Sequence, residues 1–219
     1  MSKFCELDCG GEQVTLERTD DGDIIFHNWD EETELAAVEL GFEPSACLIV
    51  WNAINYDELD VELREQASGD SVSLVEALFF AGADVNSKGI NNWTPLHYAA
   101  RFGRTDVVKF LLKARASVHA IDEDGDTPLH IAAQWGKTDV VKVLLTAKAG
   151  VNTEGNRKLT PLHLAARWGE ANIAKVLLEA GASVAANNCN SCTPLQLAKR
   201  FDRSNVAKIL EDWIAEHEK

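Results

Sequence analysis

One tetrapeptide that returns at a fixed interval limits this chain more than any other feature. Thr94-Pro95-Leu96-His97 recurs as Thr127-Pro128-Leu129-His130 and Thr160-Pro161-Leu162-His163, and Thr193-Pro194-Leu195-Gln196 repeats it with one change. Each step is 33 residues. A constant period of this length points to stacked copies of one supersecondary unit rather than a closed globular core. The tetrapeptide also reads as a helix start: threonine supplies an N-cap oxygen, proline suits the first helical position, and leucine turns inward.

The rest of each period agrees. Ala99-Ala100, Ala132-Ala133 and Ala165-Ala166 are small enough for helices to approach closely. Gly103, Gly136 and Gly169 then end a short helix by accepting a left-handed backbone. A second helix follows, with apolar residues at helical spacing: Val107, Val108, Leu111 and Leu112, then Val140, Val141, Leu144 and Leu145, then Ile173, Val176, Leu177 and Leu178. The segments TPLHYAARFG, TPLHIAAQWG and TPLHLAARWG, each followed by DVVKFLL, DVVKVLL or NIAKVLL, closely resemble the ankyrin repeat family, and Ala81–Asn86 (AGADVN) is similar to that family's repeat ending. The resemblance runs from about residue 57 to the C-terminus. It implies a mainly α fold, a solenoid of helix-turn-helix units with a projecting turn between repeats, and protein binding as the default role.

About five units are expected, two of them caps. Residues 89–188 hold three full repeats. In 44–88, Pro44 breaks the chain and Ala46–Ile54 is apolar on nearly every side, as a buried connecting helix would be. Asp57–Ala67 and Ser71–Ala81 match the helices of a degenerate first repeat, with Val61 at the threonine register and Asp70 at the glycine register. In 189–219, Gln196 replaces histidine, Asp202 replaces glycine, and a charged tail follows, so this unit reads as a C-terminal cap with Trp213 and Ile214 folded inward. Terminal repeats depart from the repeat pattern because one face meets solvent or another module. Residues 1–43 do not resemble the repeats. Glu12–Arg18 and Asp23–His27 are strand-like around the turn Thr19-Asp20-Asp21-Gly22, Phe4–Asp8 offers a third strand, and Asp30–Leu40 reads as a helix. A β-hairpin-plus-helix module of this size holds a marginal core unless it docks on the array.

The net charge is −14. Residues 1–60 carry two basic and sixteen acidic side chains, whereas residues 61–219 carry nineteen of each, so the whole excess sits in the first sixty residues. Such a surface repels phosphate backbones and attracts a basic protein partner, or a basic patch of the array itself; otherwise it serves solubility. No stretch of about 18 apolar residues reads as a membrane span. Five cysteines in a well-cored chain suit a reducing compartment, and the polar N-terminus does not read as a secretory signal. A cytoplasmic monomer is expected, or a nuclear one in a eukaryote.

Residues able to do chemistry are present but do not converge. His97, His130 and His163 form a ladder one repeat apart, and the resemblance implies that each bonds backbone in the adjacent turn. No serine, cysteine or carboxylate recurs at a spacing that completes a nucleophile–base pair. Cys189 and Cys192 have metal-site spacing without a second pair nearby. Cys5, Cys9 and His27 supply three ligands only if the hairpin folds back. Asp122, Asp124 and Asp126 begin like a calcium loop, but glycine falls at 125 and Ala133 stands where the bidentate glutamate belongs. Asp20, Asp21 and Asp23 read as hairpin-turn residues. No catalytic residue, cofactor or metal is assigned.

The informative pattern lies on the surface. An aromatic precedes each helix-ending position: Phe102, Trp135, Trp168 and Phe201, each following a long polar residue, Arg101, Gln134, Arg167 or Arg200. Trp93 extends the series. In proteins of this kind the position faces the concave side, and aromatics beside arginines are what interface hot spots are enriched in. The opposite outcome is that the rings are sealed between repeats. The expected function is a non-enzymatic adaptor, inhibitor or chaperone that grips a partner protein with the concave face and turn tips. The alternative is an effector or sensor whose acidic N-terminal module carries its own activity or ligand site, with the repeats as a targeting scaffold. A further feature concerns the second helix, which glycine closes at Gly82 and Gly181 but Arg115 and Lys148 close in the middle repeats. A left-handed cap kept there costs about 1 kcal/mol per non-glycine residue.

Overall fold

A computed structural model describes residues 4–9, 12–18, 24–27 and 56–217. The first three segments are strands β1 (Phe4–Cys9), β2 (Glu12–Arg18) and β3 (Ile24–His27). They form one antiparallel sheet in the order β1-β2-β3, with Phe4 opposite Glu17 and Thr15 opposite His27. The helices expected over Asp30–Leu40 and Ala46–Ile54 lie outside the described residues.

The repeat region holds ten helices among the described residues: α1 (Tyr56–Gln66), α2 (Val72–Phe80), α3 (Pro95–Phe102), α4 (Thr105–Lys113), α5 (Pro128–Gln134), α6 (Thr138–Thr146), α7 (Pro161–Trp168), α8 (Ala171–Glu179), α9 (Pro194–Arg200) and α10 (Ser204–His217). They pair as five units. The first helices α1, α3, α5, α7 and α9 pack side by side in one row, and the second helices α2, α4, α6, α8 and α10 in another. Ala99, Ala100, Ala132, Ala133, Ala165 and Ala166 are fully buried, so helices in the first row approach with no side chain to hold them apart. Leu63, Leu78, Leu96, Leu111, Leu129, Leu144, Leu162 and Leu177 line one continuous core between the rows.

Each TPLH helix begins as the local chemistry dictates. Threonine takes an extended N-cap conformation, proline occupies the first turn, and threonine and histidine form a reciprocal capping box. In the last repeat Gln196 serves in place of histidine: its carbonyl oxygen accepts from the Thr193 N–H at 2.9 Å. The first repeat behaves differently. Its helix α1 starts at Tyr56, so Val61, at the threonine register, lies inside the helix and is exposed. Without a Thr-Pro start nothing fixes the first turn at that register. At the other end Trp213 packs against the core and stacks on His217 at 4.1 Å.

Left-handed caps close the second helices whether or not glycine is there. Gly82 and Gly181 have φ of 106° and 88°, and Arg115 and Lys148 have φ of 68° and 67°. Both charged side chains are exposed. Arg115→Gly and Lys148→Gly should therefore each stabilise the array by about 0.5–1 kcal/mol, strain relief outweighing the added freedom of the unfolded chain. In urea unfolding the midpoint should rise at constant slope; a lower midpoint for both variants would show that these backbones are not strained.

Candidate functional site

The four helices that begin with Thr-Pro all end on an aromatic or one residue short of it. This shared length brings Phe102, Trp135, Trp168 and Phe201 into register at the same end of neighbouring helices. Their exposures are 44%, 46%, 46% and 38%, which leaves a row of large rings open to solvent. Trp93, from the preceding turn, is half-buried and packs edge-on against Tyr98 at 5.2 Å.

The residues before the rings do not all reach outward. The Arg101 guanidinium lies 4.7 Å from the centroid of Trp135, 5.5 Å from Phe102 and 5.6 Å from Trp93. Arg167 likewise lies 5.1 Å from Phe201 and 5.8 Å from Trp168. Each guanidinium thus bridges the ring of its own repeat and the ring of the next. Such contacts contribute about 0.5–1 kcal/mol at exposed sites and hold the rings in one orientation. Gln134 is half-buried and brings no charge to the same position, and Arg200 is exposed at the end of α9.

Beside this row, at the turn tips, is a cleft of about 350 Å³. It is lined by Trp93, Arg101, Gln134 and Trp135 together with the acidic residues Asp122, Glu123, Asp124 and Asp126. The aspartates shape the turn, as their spacing suggested. Asp122 Oδ1 accepts from the N–H groups of Asp124 and Asp126 at 3.0 and 2.8 Å, and Asp126 Oδ1 accepts from Asn156 N–H at 3.0 Å. Burial raises the Asp126 carboxyl to about 6; the Asn156 N–H works against the shift, and the charges of Asp122 and Asp124 add to it. Sequence reasoning assigned these residues to a turn and missed that they share a cleft with the aromatic row. The available signal was four carboxylates within five residues in an array whose charges otherwise sum to a positive value.

The histidines are structural. His97, His130 and His163 are fully buried. Their Nδ1 atoms accept from the Thr94, Thr127 and Thr160 N–H groups at 3.2, 3.1 and 3.2 Å, which assigns the proton to Nε2. His97 Nε2 then faces the Asp126 carbonyl at 3.2 Å, His130 Nε2 those of Thr153 and Leu159 at 3.0 Å, and His163 Nε2 that of Cys192 at 3.0 Å. Each imidazole thus ties a helix start to the turn of the following repeat. Burial lowers the pKa of all three, His130 to about 4, so the rings are neutral. Cys189 and Cys192 are free thiols in the turn between the last two repeats. Among the described residues no group of three His, Cys, Asp or Glu side chains is placed to hold a metal ion, and no helix is long and apolar enough to cross a membrane.

Paired helices stacked in two rows, joined by projecting turns and by a histidine that links each of the three middle repeats to the next, define a helical-repeat solenoid. The family model for ankyrin repeats (3 copies) matches residues 65–155 and 144–217, and the chain belongs to the ankyrin repeat family. An ankyrin repeat protein of Fowlpox virus (strain NVSL) is 34% identical over 67 residues, which is 28% of this chain. The match spans about a tenth (10%) of that viral protein's length. Ankyrin repeats generally mediate protein–protein interaction and are typically non-enzymatic.

Proposed function

We propose that this protein captures a partner protein on its concave face, as an adaptor, inhibitor or chaperone, with Phe102, Trp135, Trp168 and Phe201 as the contact row and Trp93 extending it. The observation that carries the reading is the exposure of these four rings, 38–46%, in register on successive repeats. Large rigid rings bury much area at little entropic cost, and binding energy concentrates on such residues. Arg101 and Arg167 act by holding the rings in place; Gln134 and Arg200 are the polar side chains of the row left to meet the partner directly.

The test is capture from host lysate by wild type and by the double variant Trp135→Ala/Trp168→Ala. Proteins held by wild type should be lost, or weakened at least tenfold, while circular dichroism is unchanged. The stability loss should stay near 1–2 kcal/mol, since the variants remove exposed cation–ring contacts and no core. Undiminished capture by the folded variant would rule out the row as the binding site.

A further inference from the structure

The row of rings and guanidinium groups is interrupted at one step. Arg101 covers Trp135 in the next repeat at 4.7 Å, and Arg167 covers Phe201 in the next repeat at 5.1 Å. At the corresponding position before Trp168 stands Gln134, which carries no charge. Trp168 is approached by Arg167 of its own repeat at 5.8 Å, yet it remains 46% exposed. Trp168 thus lacks the guanidinium that the preceding repeat supplies to Trp135 and to Phe201, while its exposure equals that of Trp135.

A second, independent observation falls at the same place. Gln134 also lines the turn-tip cleft, where four carboxylates stand against one guanidinium, that of Arg101. Arg101 is committed to three rings, and Glu123 and Asp124 are exposed. The lining carries a net negative charge, the cleft holds one or two side chains by volume, and Gln134 places it next to the position from which a guanidinium would reach Trp168. A cation over an aromatic ring and near carboxylates gains from both. A phosphate or an acidic side chain gains from neither.

We propose that a lysine or arginine side chain of the partner protein enters the groove over Gln134, taking against Trp168 the place that a guanidinium holds elsewhere in the row, with Glu123 and Asp124 balancing its charge. This rests on the concave-face reading above and adds the chemistry of the partner: an extended segment with an exposed basic residue.

The test uses three capped hexapeptides in which glycine alternates with arginine, glutamate or leucine, titrated into the full ¹⁵N-labelled chain. Salt near 150 mM screens long-range attraction to the acidic N-terminal residues. The arginine peptide should give saturable shifts of the Trp135 and Trp168 indole N–H signals and the Glu123 and Asp124 amides, with at least tenfold tighter binding than the other two. Gln134→Arg supplies the missing cation from within and should weaken the arginine peptide at least fivefold while the melting temperature holds or rises. Glu123→Gln/Asp124→Asn should weaken it similarly, since the amide introduced at position 124 keeps the oxygen that accepts from the Asn156 side chain at 2.9 Å. Unchanged affinity in Gln134→Arg, or no saturable shift with the arginine peptide, overturns the proposal. Equal shifts of the row by all three peptides would remove the cation preference and leave the concave-face reading standing; shifts confined to other faces would remove both.

Discussion

Replacing His130 by alanine should lower the unfolding free energy by about 3–5 kcal/mol. The ring is fully buried and serves three backbone groups: the Thr127 N–H at 3.1 Å and the Thr153 and Leu159 carbonyls at 3.0 Å. Alanine orphans the Thr127 N–H and the Thr153 carbonyl, while the Leu159 carbonyl keeps the Gly155 N–H at 2.9 Å, and it opens a cavity between two repeats. Each orphaned buried polar group costs about 1–3 kcal/mol, and the cavity adds to it. His130→Gln separates the two halves of the role. Gln196 shows that a glutamine in this register satisfies the threonine N–H, at 2.9 Å. The amide thus restores the helix cap but does not reproduce the imidazole bond to the following turn. About half of the loss should return, read from urea midpoints of the two variants. Equal losses would place the whole effect in the bond between repeats, and a loss below 1 kcal/mol for alanine would show that the ladder does not hold the stack together.

The same ladder explains why so much of this fold was legible in the sequence. Repeat architecture writes its contacts at constant spacing, so Thr-Pro starts, glycine stops and buried alanines could be read from single residues. His97, His130 and His163 could likewise be placed one repeat apart. What could not be read depends on how far each repeat turns relative to the last. The reach of Arg101 to Trp135, and of Arg167 to Phe201, is fixed by that rotation. It places two guanidinium groups against the rings of the following repeats. The cleft was illegible for a related reason, since it joins a turn to helices of two repeats. Even without a proline to mark its first turn, α1 (Tyr56–Gln66) lies within one residue of the expected Asp57–Ala67. The exposure of the row, left open between binding and burial, is settled by the helices ending where the rings begin.

Acidification should unfold the array, because burial has shifted its histidines downward. The unfolded chain protonates His130 near the ordinary value of 6.5, whereas the folded chain does so at about 4. Between these values the unfolded state binds more protons, so the stability present above pH 6.5 is lost as the pH falls toward 4. A gap of this size corresponds to about 3 kcal/mol. His97 and His163 are lowered by burial and act in the same direction. Asp126 opposes them. Its carboxyl is raised to about 6, so its protonation below that value favours the folded state. The groups around it are Asp122, Glu123 and Asp124 in its own turn, the Asn156 N–H of the next turn, and Arg101, which lines the same cleft. Three histidines against one carboxyl leave a net loss, measurable between pH 6.5 and 4.5, above the ordinary carboxylate range. Asp126→Asn keeps the oxygen that accepts from Asn156 and removes the opposing group. Its urea midpoint should be higher than wild type at pH 7 and should fall more steeply on acidification. A wild-type midpoint that stays flat over this window would contradict the account of the histidines, and parallel curves for the two proteins would contradict that of Asp126.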